Sequence, residues 1–357
     1  ISDESTKRRK RVAIVVAGSL QRFLLNATAH HLILPMTAQG HTVDYFLSLT
    51  TDMQHSQQSK IIEDPIFDSV KSIFDTAPPE RREERSKFEY RAAIIKRTVN
   101  LLIGSAGGNL RRANISRDID IDSHPSVKVK REAALRLHPA EDPYSRFPTL
   151  DLREGNLKSA AEANRNMLQR HFSISELWKE VKEVEDSDGS KYDIVLFLRE
   201  DASFLVDFDL NSLMSHGGAD FYVLSCDDRD PPLSALEVPE HLIVASRRYA
   251  DFYGMYFESL LRIEDCTQTL SASFASYSDW NAQLGCTPGM LFKSMLLGSR
   301  ASVKSVGQSI VPFHREAFEK TTSGEVQTCI REKCQSRSRE VLENDLVVSD
   351  ARLCTSL

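Results

Sequence analysis

The run Arg11-Val12-Ala13-Ile14-Val15-Val16-Ala17 is apolar without interruption after its first residue and ends at Gly18-Ser19. Continuous apolarity over so short a length suits a strand covered on both faces, as in a parallel sheet. After the turn, Leu20 to His31 can form a helix, so the chain opens as strand, glycine turn, helix, the usual start of a nucleotide-binding α/β fold. Val43 to Leu49 reads as a second strand, ending at Thr50-Thr51-Asp52. Between about residues 53 and 150 the pattern changes. Charge clusters such as Glu80-Arg81-Arg82-Glu83-Glu84-Arg85 alternate with short amphipathic pieces. Lys87 to Ile103 is expected to be helical, and Ser105 to Pro148 mostly loop, the whole forming an insertion in the sheet.

Leu157, Ala161, Leu168 and Phe172, then Leu177, Val181 and Val184, recur at helical spacing. Ser173-Ile174-Ser175-Glu176 has the form of a capping box, with Phe172 and Leu177 placed as its staple. Two consecutive helices are therefore expected, with Trp178 in the core. Tyr192 to Leu198 is the clearest strand and stops abruptly at Arg199-Glu200-Asp201. Ala219 to Ser225 is another, followed by Cys226-Asp227-Asp228-Arg229-Asp230. Leu242 to Ser246 is a third, preceding a helix from about Arg248 to Ile263. Two buried strands thus deliver acidic clusters at their C-terminal ends, the edge where ligands bind in open α/β sheets.

Composition narrows the function classes. The 357 residues are 41% hydrophobic and 27% charged, enough for a substantial core. The net charge of -6 lacks the basic excess of a nucleic-acid binder. The run Lys7-Arg8-Arg9-Lys10-Arg11 reads as a solvated arm leading into the first strand. No apolar stretch approaches the roughly 18 residues of a membrane span. Two sequons, Asn26-Ala27-Thr28 and Asn114-Ile115-Ser116, and an even set of six cysteines, all in the C-terminal half, tilt the compartment towards the secretory pathway. The absence of any CxxC pair speaks against a structural zinc site. No GxSxG elbow, HExxH helix or P-loop supports a hydrolase, metalloprotease or ATPase.

Residues 12–23, with Val12-Ala13, Gly18 and Arg22-Phe23, resemble the opening of a diffuse set of GT-A-type glycosyltransferases from fungi, plants, algae and large viruses. Residues 192–201 resemble their "Y-D-x-V-x-x-x-R-x-D" strand, and the region from Asp220 to Tyr253 is also similar. The resemblance covers roughly two-thirds of the chain in discontinuous blocks. It implies a GT-A-like, mixed and mostly parallel sheet flanked by helices. The single catalytic domain would span 11–318, after a stem remnant at 1–10 and before a cysteine-containing tail at 319–357. It implies a nucleotide-sugar donor, of which a UDP-hexose, UDP-galactofuranose included, is expected, and a glycan or glycoprotein acceptor. It also implies a type II membrane protein of the Golgi or ER lumen whose N-terminal anchor precedes this sequence.

Under that resemblance Gly18, Ser19 and Arg22 approach the nucleotide, with Arg22 suited to bidentate phosphate contact. Glu200 and Asp201, completed by His314, would hold Mn²⁺ or Mg²⁺. Arg199 occupies the first Asp position of the DxD motif. Either Glu200 and Asp201 suffice for the metal, or Arg199 neutralises phosphate directly. Asp227 and Asp228 are expected to contact donor sugar or metal, and Asp279 is the expected base for an inverting reaction. Two rival readings stay open: a nucleotidyltransferase, and a luminal glycan-binding or scaffolding protein on a transferase fold.

Overall fold

The computed structural model describes residues 9–20, 23–50, 84–117, 119–146, 157–204, 207–215, 218–224, 242–263, 288–306, 313–320, 326–331 and 352–353. Its centre is a seven-stranded sheet built from β1 (Arg11–Ser19), β2 (Thr42–Thr50), β3 (Asn109–Ser116), β4 (Ile194–Arg199), β6 (Phe221–Leu224), β7 (Leu242–Ser246) and β8 (Val303–Val306), in the order β3-β2-β1-β4-β7-β6-β8. The pairs β1–β2, β2–β3, β1–β4 and β6–β8 are parallel, whereas β7 runs antiparallel to both β4 and β6. The sheet is therefore mixed and mostly parallel, with one reversed strand. A four-stranded sheet, β11-β10-β9-β5, joins β5 (Ala202–Phe204), β9 (Phe313–Lys320), β10 (Val326–Arg331) and β11 (Arg352–Leu353).

Alternation along the strands explains the layers. Val12, Ile14 and Val16 face one apolar cluster with α3 (Glu84–Ser105), while Ala13, Val15 and Ala17 face another with α5 (Leu157–Asp188). Successive strand side chains point to opposite faces, so uninterrupted apolarity follows from helices on both sides. On the first face sit α1 (Leu25–Ala27), the π-turn Thr28–Ile33, α2 (Leu34–Ala38), α3 and α6 (Leu210–Ser215). On the second sit α5, α7 (Ala250–Gly254), α8 (Tyr256–Arg262) and α9 (Pro288–Gly298). A smaller cluster seats α4 (Pro125–Leu137) on α5 and α8 through Val127, Leu168, Phe257 and Leu261.

Three local expectations change. The helix after β1 begins at Leu25 rather than Leu20, because the Leu24 N–H is taken by the Glu200 carbonyl at 3.0 Å. The span expected to be loop holds β3, α4 and a 3-10 turn at Pro143–Arg146. Gly107, at φ 81°, ends α3 and swings the chain into β3. The third change is that α5 is one helix of 32 residues. The Ser173 hydroxyl donates to the Gln169 carbonyl at 2.9 Å, four residues back, instead of capping a new helix. Trp178 is fully buried, as expected. Five of the six cysteines, all but Cys329 in β10, and the helix expected near Ser336 to Asn344 lie outside the described residues.

At the N-terminal edge of the sheet, Arg11 is not part of a free arm. Its guanidinium reaches Ser190 Oγ at 2.7 Å, Asp44 at 3.2 Å and Asp188, and lies 4.2 Å from the Tyr192 ring centroid. Tyr192 donates its hydroxyl to Asp44 at 2.8 Å, and Arg111 grips both oxygens of Asp188 at 2.9 and 2.7 Å. The cluster ties β1, β2 and β3 to the C-terminal end of α5. Burial first, then the bond to Asp44, pushes the Tyr192 phenol up, so it stays a donor. For Asp188 desolvation acts upward, but the bonds and charges of Arg111 and Arg11 outweigh it and hold the carboxyl below its usual value.

Two predictions follow from this packing. A lowered carboxyl pKa contributes stability above the unfolded value, about 3.9 for Asp, and loses it as pH falls through the folded value. Asp188→Asn should therefore be less stable than wild type at neutral pH and show a shallower loss below about pH 4, measured by urea titrations across pH. A Cβ on Gly254 would come within 2.4 Å of the Trp178 ring. Gly254→Ala should cost about 1–3 kcal/mol by overpacking, read from the urea midpoint.

Candidate functional site

β1 and β4 are neighbours and parallel, so their C-terminal ends leave the sheet together. Ala17 pairs with Arg199, and on the other side Gly18 pairs with Leu49 and Ser19 with Thr50. The sequence dictates this edge: Ile194 to Leu198 are buried on both faces, and the first polar residue after them ends the strand. Arg199, Glu200 and Asp201 therefore appear at the same edge as Gly18 and Ser19.

Their side chains are not equivalent. Asp201 is buried, and both its oxygens accept from Arg199, Nε to Oδ1 at 2.8 Å and the guanidinium NH₂ to Oδ2 at 2.9 Å. The spacing is i, i+2 around the strand end, which places the two residues on one side. Glu200 points elsewhere. It is 1% exposed, and a Cβ built on Gly18 would lie 2.0 Å from its Oε2 and 2.1 Å from its carboxyl carbon. A side chain at position 18 would have to displace the buried Glu200 carboxylate, which occupies that space. The Glu200 carbonyl, bonded by Leu24 N–H, fixes the chain that leaves β1. Sequence reasoning missed both contacts, although the i, i+2 spacing of Arg199 and Asp201 carried the first.

Directly after Asp201 the chain enters β5, where Ser203 pairs with His314 of β9. The backbone thus brings His314 opposite Ser203, two residues beyond Asp201. β6 runs in the same direction as β4 and also ends at this edge, at Leu224. Arg22, Asp227, Asp228 and Asp279 lie outside the described residues.

The donor set can be weighed against the expected Mn²⁺ or Mg²⁺. Hard divalent ions take several carboxylate and carbonyl oxygens. Here the Asp201 carboxylate is gripped by a guanidinium, and that of Glu200 is pressed against Gly18. As placed, they do not form a pair of outward-facing carboxylates, and among the described residues no group of three His, Cys, Asp or Glu is gathered for a metal. The geometry fits a divalent clamp poorly. What it offers is a guanidinium of fixed orientation at the C-terminal edge of two parallel strands, the arrangement suited to a phosphate-bearing ligand.

The Gly18–Glu200 contact carries a test. Gly18→Ala should cost about 1–3 kcal/mol by overpacking, because its Cβ must displace the buried Glu200 carboxylate. Glu200→Ala in the same chain should recover part of that loss. Urea unfolding of the two single variants and the double variant gives the coupling directly, and additive effects would show that the two side chains do not compete for one space.

No protein-family profile matches the chain, and no curated protein matches it in sequence. Among solved structures, the apo form of mouse xyloside xylosyltransferase 1 aligns over 97% of this chain and 94% of its own, at 6% identity and a TM-score of 0.34. A nucleoside-diphosphate-sugar pyrophosphorylase from Vibrio cholerae aligns over 84% of this chain and 93% of its own, at 8% identity and a TM-score of 0.29. Similarity at that level carries no argument about chemistry. The α/β architecture stands on the strand pairings themselves.

Proposed function

We propose that this chain is a glycosyltransferase that moves a sugar, a hexose in the first instance, from a UDP-sugar to a hydroxyl of a glycan or glycoprotein. The observation that supports the reading most is the joint ending of β1 and β4, which sets Gly18-Ser19 beside a bidentate Arg199–Asp201 pair whose carboxylate is buried. The order of the sequence blocks that resemble GT-A-type transferases points the same way.

In this reading the nucleoside diphosphate lies across the ends of β1 and β4. An acceptor hydroxyl oxygen bonds to the anomeric carbon as the bond from that carbon to the diphosphate oxygen breaks. The diphosphate takes the bonding electrons, and its growing negative charge is met by the Arg199 guanidinium, which Asp201 already orients. The acceptor's proton goes to a carboxylate base, for which Asp279 is proposed on sequence grounds alone. A luminal, secretory location is proposed from the sequons and cysteines; Asn114 lies exposed on β3, the edge strand of the large sheet.

A thermal-shift panel of UDP, GDP and CMP with Mn²⁺ present tests the class. A ligand at about 100 times its dissociation constant adds about 2.7 kcal/mol of stability. UDP is expected to stabilise the protein most. A UDP-hexose with a glycan acceptor should then release UDP. Absence of a shift with every nucleotide contradicts the transferase reading and favours a glycan-binding protein on this fold.

A further inference from the structure

We infer that this site meets the donor's diphosphate with a cation of its own, the Arg199 guanidinium held by Asp201, and that nucleotide binding does not depend on a divalent ion. The inference rests on the nucleotide-sugar reading above and specifies how that site handles phosphate charge. Its basis is the order in which the charges are stacked. The Arg199 side chain is 19% exposed, that of Asp201 3%, and Glu200 as a whole 1%. The cation is therefore the most exposed of the three, and the Asp201 carboxylate it covers is buried. An anion arriving from solvent meets the guanidinium first, whereas a divalent cation must displace that guanidinium to reach Asp201.

Each carboxylate also has a structural task that ligation would undo. Asp201 accepts two nearly parallel N–H bonds, which fix the plane of the guanidinium. A guanidinium carries its N–H donors in a rigid planar fork, so this two-point grip sets its orientation. Glu200 fills the space above Gly18, and its main chain anchors Leu24. Turning its carboxylate outward would open a void between β1 and the chain after β4. The Arg199–Asp201 pair is neutral as a unit, so its pull on phosphate is local, through charge-assisted hydrogen bonds at contact distance. Arg suits that task because its fork matches two phosphate oxygens.

The test is isothermal titration of UDP, and of GDP as a second probe, into wild-type protein in excess EDTA and again with Mn²⁺. The inference expects affinities within about 3-fold of each other in the two buffers, a difference well below 1 kcal/mol. Arg199→Gln should weaken binding by about 10- to 100-fold in both, as the loss of a charge-assisted hydrogen bond requires. Arg199→Lys should fall between them, keeping charge but losing the fork. The wild-type comparison needs no variant to fold. Binding that appears only with Mn²⁺, or that is unchanged in Arg199→Gln, overturns the inference and leaves the nucleotide-sugar reading in place. No binding of either nucleotide in either buffer overturns both.

Discussion

Everything at the candidate site depends on the parallel pairing of β1 with β4 in one register. Both strands are apolar on both faces, with Val12 to Ala17 and Ile194 to Leu198 nearly inaccessible to solvent. Burying each large aliphatic or aromatic side chain is worth about 1.5–3 kcal/mol, and a slip of one residue would exchange the two faces of a strand throughout. The register that satisfies the core is also the one that sets Gly18 against Glu200. Glycine there leaves room for the buried Glu200 carboxylate, which a side chain would have to displace. The site's geometry is thus inherited from the core packing rather than added by a loop.

The two ends of these strands carry charge in different ways. At the N-terminal edge, Arg11, Asp44, Tyr192, Asp188 and Arg111 interlock β1, β2, β3 and the end of α5. At the C-terminal edge Arg199, partly exposed, grips the buried Asp201. Buried charges persist only when partnered, and breaking such a pair commonly costs 3–5 kcal/mol. The first cluster spans several elements and reads as a fastener. The second joins residues only two apart and fixes the plane of the guanidinium. It lies at the C-terminal end of β4, the edge where ligands bind in open α/β sheets.

The strands were legible because an apolar run bounded by polar residues is a one-dimensional signal. β1, β2, β4 and β7 match their expected spans closely, and the buried Trp178 was equally plain. β3 was not legible: Asn109–Ser116, NLRRANIS, is polar because it is an edge strand, largely solvated on its flanks. The capping-box pattern at Ser173 misled because tertiary burial of Ile174, Leu177 and Trp178 holds α5 continuous and turns the serine hydroxyl back onto its own helix. Position along the chain identified Gly18, Arg199, Glu200 and Asp201 as neighbours. It did not reveal which carboxylate faces which partner, since that depends on side-chain direction at a strand end. Nor did it separate Arg11 from the basic run preceding it, because the partners of Arg11 lie 33 and 177 residues away.

The central claim is that a uridine nucleotide lies across the ends of β1 and β4. Photo-crosslinking with a UDP analogue carrying an azido group on the base, followed by peptide mapping, addresses it most directly. The account predicts label in the peptides that contain Gly18 or Arg199, removed by competing UDP. Label confined to the opposite edge around Arg11, Asp44 and Asp188, or label that UDP does not displace, would contradict it.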